Sequence, residues 1–103
     1  MSEEVEEIEN IVNKFKEKYP EARMFLDDMV YYAKWTEDRA NWCQYERLFD
    51  DFGNFRASMI SAIRVGNMYQ DDILDLLDTD YKLRSHIEKK ILEKCGCELP
   101  PHH

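Results

Sequence analysis

Residues 21–52 read EARMFLDDMVYYAKWTEDRANWCQYERLFDDF and contain neither glycine nor proline. Two apolar stripes run along this stretch. Ala22, Leu26, Met29, Ala33, Ala40 and Cys43 form one, and Tyr31, Trp35, Trp42, Tyr45, Phe49 and Phe52 form the other. A repeat of ~3.6 residues sets each stripe on its own face of a helix. A helix that is apolar on two faces must be covered on both, so the stretch reads as the central helix of a bundle. Thr36-Glu37-Asp38 carries a competing reading, an N-cap with acidic first-turn residues that would split the stretch. The aromatic stripe keeps one register through that point, interrupted only by Asp38, so one continuous helix is the expectation.

The flanking sequence completes the bundle. A first helix is expected over 3–19, capped by Ser2, with Val5, Ile8, Ile11, Val12, Phe15 and Tyr19 buried and Pro20 ending it. Past Gly53, a helix over 54–65 takes Asn54 as its cap and Gly66 as its terminator. A short helix over 68–77 turns Tyr69, Ile73, Leu76 and Leu77 inward, and a last helix over 80–95 starts at Asp78 or Thr79 and ends at Gly96. The fold class is all-α, a compact four- or five-helix bundle around the long helix 21–52. Residues 1–97 form a single helical domain, and 98–103 an extended tail with two prolines. His102 and His103 read as a purification-tag remnant and carry no functional argument.

Composition narrows the classes. A chain of 103 residues has one domain's worth of sequence, 44% hydrophobic and 13% aromatic, with only three Gly and three Pro. A net charge of −8 opposes direct binding to nucleic acid phosphates and to anionic membranes. No apolar run reaches the ~18 residues of a membrane span, and the acidic N-terminus lacks the basic and apolar regions of a secretory leader. Cys43, Cys95 and Cys97 are odd in number, and two are separated by one residue, which does not read as a disulfide framework. The expected compartment is therefore the reducing cytoplasm.

Chemistry-bearing patterns are sparse. Cys95-Gly96-Cys97 is too tightly spaced for the usual zinc knuckle, and no calcium loop is present, so neither metal nor cofactor is expected. His86 has no nucleophile placed beside it in sequence, and no catalytic residues are assigned. What remains is surface. Asp71, Asp72, Asp75, Asp78 and Asp80 fall in a segment with no Lys or Arg between Arg64 and Lys82. Like charges repel, so the cluster invites a basic partner. Tyr31, Tyr32 and Trp35 are the aromatic residues most suited to contact, having large area and polar tips. These eight residues define the expected partner-binding site. The leading reading is a non-enzymatic protein-binding module that blocks a basic, nucleic-acid-binding partner by charge mimicry, as small acidic phage or mobile-element inhibitors do. The alternative is a homodimer or larger assembly formed through the aromatic face. A third is a small-ligand pocket between the second and third helices.

Overall fold

The computed structural model describes residues 2–96, and within them Ser2 opens the first helix as its position implies. Its hydroxyl accepts the Val5 N–H at 3.2 Å, and Glu3, Glu4 and Glu6 complement the positive end of the dipole. Helix α1 spans Glu3–Lys18 and buries Val5, Ile8, Val12 and Phe15. A turn of 3₁₀ helix, Pro20–Ala22, redirects the chain into α2, Arg23–Asn41. Helix α3 spans Tyr45–Gly66 and α4 spans Gln70–Cys95. The described residues are all-α, and their radius of gyration of 13.5 Å is that of a compact domain of this size, ~13 Å.

Helix α2 is the centre. Leu26, Met29, Ala33 and Ala40 are fully buried, as the first stripe requires. It packs against α3 most extensively, then against α1 and α4, whereas α3 and α4 touch little.

The stretch 21–52 is helical as expected, but in two pieces, and the break is not at Thr36. It falls at Trp42–Gln44, where Cys43 adopts φ 55°. The Cys43 N–H donates to the Ala40 carbonyl at 3.2 Å and the Gln44 N–H to Arg39 at 2.9 Å. This is a Schellman closure with cysteine where glycine is usual. The aromatic stripe is divided by it. Trp42 stands 76% exposed, while Tyr45, Phe49 and Phe52 are half-buried on α3.

Two further boundaries differ from expectation. Gly53 and Asn54 lie inside α3 rather than between helices. The expected helices 68–77 and 80–95 are one helix, because Thr79 is fully buried and its hydroxyl donates to the Leu76 carbonyl at 2.6 Å. At the end of α3 the left-handed residue is Asn67, φ 47°, not Gly66. Gly66 is closely packed: a Cβ there would sit 3.3 Å from the Met68 side chain, which would have to shift slightly, and at ordinary contact distance, 3.5 Å, from Ala22.

The cysteine reading is corrected. Cys43 and Cys95 form a disulfide with Cα atoms 5.9 Å apart, tying the end of α4 to the α2–α3 turn. This pairing removes the cysteine argument for a reducing compartment. Cys97 and the expected tail 98–103 lie outside the described residues. Among the described residues no helix is long and apolar enough to cross a membrane.

Candidate protein-binding surface

The register of α4 decides what it exposes. Leu76, Thr79, Leu83 and Ile87 are all fully buried. This continuous stripe leaves Leu77 about 100° off the core direction. Leu77 was expected inward; it is instead 44% exposed, beside Leu74 at 56% and Tyr81 at 69%. The three form an apolar strip on the outer face of α4.

Carboxylates flank that strip, but the five aspartates do not act together. Asp72 is half-buried and accepts from the Tyr19 hydroxyl and from Lys18 Nζ at 2.8 Å. The Lys18 ammonium first, then the Tyr19 hydroxyl, hold its carboxyl below the usual range. Tyr19 also receives the Tyr69 N–H at 3.1 Å, so this cluster anchors the start of α4. Asp80 pairs with Arg56 of α3 through two contacts, 2.7 and 3.2 Å. Both aspartates brace the bundle. Asp71, Asp75 and Asp78 are exposed. Asp78 lies 3.7 Å from Lys82, and Asp71 and Asp75 have no ion pair among the described residues.

The aromatic half of the expected site lies elsewhere. Tyr31 stacks edge-on against Tyr32 and Trp35, with ring centroids 5.1 and 6.3 Å away. The Arg39 guanidinium covers Trp35 at 4.6 Å while its Nε reaches Asp51 at 3.2 Å. Glu37 marks the side of α2 that faces α4, through its contact with His86. Trp35 points about 160° away from Glu37 around the helix. The aspartates of α4 and the aromatics of α2 are therefore two surfaces, not one.

One cluster was missed. The His86 ring and the Glu37 carboxyl are buried, at 5% and 8% exposure, with Nε2 2.5 Å from Oε2. A carboxylate only accepts, so Nε2 carries the proton. The Ser2 N–H donates to the other Glu37 oxygen at 3.4 Å, and Glu4 lies 3.6 Å from His86 Nδ1. Burial pushes the Glu37 carboxyl up, but hydrogen bonds from Ser2 and His86 outweigh it and hold it low. The signal was present in sequence: Glu37 lies between Ala33 and Ala40 on the buried stripe, and His86 between Leu83 and Ile87. The cluster joins α1, α2 and α4. A shallow cavity of about 340 Å³ lies between α2 and α3, lined by Phe25, Ser61, Arg64 and Val65. No three His, Cys, Asp or Glu side chains among the described residues are gathered as a metal site requires.

Comparison with protein-family models, curated proteins and solved structures finds no match for this chain.

Proposed function

We propose that this chain is a non-enzymatic protein-binding module that docks a basic protein through the N-terminal half of α4. The observation that carries this reading is the exposed strip Leu74, Leu77 and Tyr81, bordered along one flank by Asp71, Asp75 and Asp78. An apolar centre with a charged rim is the composition of a docking surface. The three carboxylates span about 10 Å of helix, which suits a partner presenting an apolar anchor beside Lys or Arg. The sharper form of the proposal is an inhibitor that occupies a nucleic-acid-binding groove. The acidic rim supports it, and the apolar strip adds contact area that phosphate mimicry alone does not need. Assembly through the aromatic face of α2 has less support, because its rings pack on one another and Arg39 covers Trp35.

Affinity capture with the purified chain tests the proposal. A partner retained by the wild type should be lost by the combined variant Asp71→Asn, Asp75→Asn, Asp78→Asn, with the fold intact by circular dichroism. Equal retention by both proteins would defeat it.

A further inference from the structure

We infer that two copies of this chain pair through α4 in antiparallel register, each acidic N-terminal half lying over the basic C-terminal half of the other. The inference rests on α4 being a binding surface, as proposed above, and names a second copy as an occupant.

Beyond Tyr81 the same face of α4 carries Ser85 and the exposed Arg84–Glu88 pair, and then one further apolar residue. Leu92 is 53% exposed. It stands five turns beyond Leu74 at the same angular position, since five turns take about 18 residues. The charge pattern along the same helix is polar in direction. From Gln70 to Asp80 there are aspartates and no Lys or Arg; from Lys82 to Cys95 there are Lys82, Arg84, Lys89, Lys90 and Lys94 against Glu88 and Glu93. Several of these charges are used within the chain: Asp72 with Lys18, Asp80 with Arg56, Lys82 with Glu7, and Arg84 with Glu88. Asp71 and Asp75 in one half, and Lys89 and Lys94 in the other, are exposed and have no ion pair among the described residues.

Symmetry turns this pattern into a geometry. A twofold axis perpendicular to two facing antiparallel helices brings the same flank of each into contact, reversed in direction. Asp71, Asp78 and Lys89 share one flank of the strip, by the 100° step of the helix. Setting Leu74 of one copy against Leu92 of the other therefore places Asp78 beside Lys89 of the second copy. The equivalent contact forms across the axis. A parallel arrangement would oppose aspartate to aspartate. A foreign partner must bring its own apolar residues and basic rim, whereas a second copy already carries both.

Sedimentation equilibrium of the full chain in physiological salt, from micromolar to millimolar concentration, is the test. The wild type should dimerise reversibly. Leu77→Asp, Asp78→Lys and Lys89→Glu should each weaken the dimer by roughly tenfold, because every change is made twice in a symmetric pair. Mixing Asp78→Lys with Lys89→Glu should restore association, since each reversed charge then meets its opposite. A wild type that stays monomeric throughout, or a dimer indifferent to all three variants, would overturn the inference. Lys89→Glu separates this proposal from the preceding one: it should lose self-association while retaining capture of a basic partner through the acidic half.

Discussion

Removing the Glu37 carboxyl should cost more than removing any ion pair on the surface. In Glu37→Ala the His86 ring stays buried with Nε2 facing a void, and the Ser2 N–H loses its acceptor. Breaking a buried pair by deleting one member costs ~3–5 kcal/mol. Glu4 remains 3.6 Å from His86 Nδ1, so the ring keeps one partner, which places the expected loss near the lower end, ~3 kcal/mol. At ~4–8 °C per kcal/mol for a domain of this size, the melting temperature should fall by roughly 12–24 °C. Total stability of ~5–15 kcal/mol leaves the variant folded in the cold. Urea unfolding followed by circular dichroism measures the difference. The double variant Glu37→Leu, His86→Leu should recover much of the loss, because an apolar pair needs no desolvation. Acid should act on the same contact. The folded Glu37 carboxyl sits below its ordinary value of 4.5. Its stabilising effect is therefore complete above that value and disappears as pH falls through the lower folded value. The Glu37→Gln variant should lack this part of the acid sensitivity. A loss under ~1 kcal/mol in Glu37→Ala, the worth of an exposed pair, would refute the buried-pair account.

Three other perturbations follow from the fold. Reducing the disulfide, or replacing Cys43 and Cys95 by Ser, should lower stability by up to ~4 kcal/mol by the chain-entropy relation, since the bridge spans 52 residues. Melting with and without a dithiol checks this, and the Ser variant should be indifferent to the reductant. Gly53→Ala should stabilise by ~0.5–1 kcal/mol in a urea titration, because Gly53 lies inside α3 and an added Cβ meets nothing within 4 Å. Met29→Asp should abolish cooperative unfolding, since Met29 is fully buried at the centre of α2 and an unpaired buried charge costs as much as the fold is worth.

The helical class and much of the core could be read from residue spacing. The run Ala22, Leu26, Met29, Ala33 and Ala40 has helical period and is buried throughout, and Ser2 caps α1 as read. Breaks were harder. Thr36 and Thr79 resemble N-caps, yet their hydroxyls donate to Tyr32 and Leu76 carbonyls within continuous helix. The true break at Cys43 uses a residue that rarely adopts the left-handed region, and its disulfide partner lies 52 positions away. Reading Thr79 as a cap also ended the buried stripe too early, which turned Leu77 inward on paper. The acidic cluster was visible in composition. Its division into bracing and exposed aspartates was not, because Lys18 and Arg56 arrive from other helices.

Mapping amide chemical-shift changes on the chain as a captured basic partner saturates it tests the central claim most directly. The account predicts the largest changes between Asp71 and Tyr81 on α4, with α2 around Tyr31 and Trp35 little affected. Changes concentrated on Tyr31–Trp35, or on the cavity between α2 and α3, with α4 silent, would contradict it.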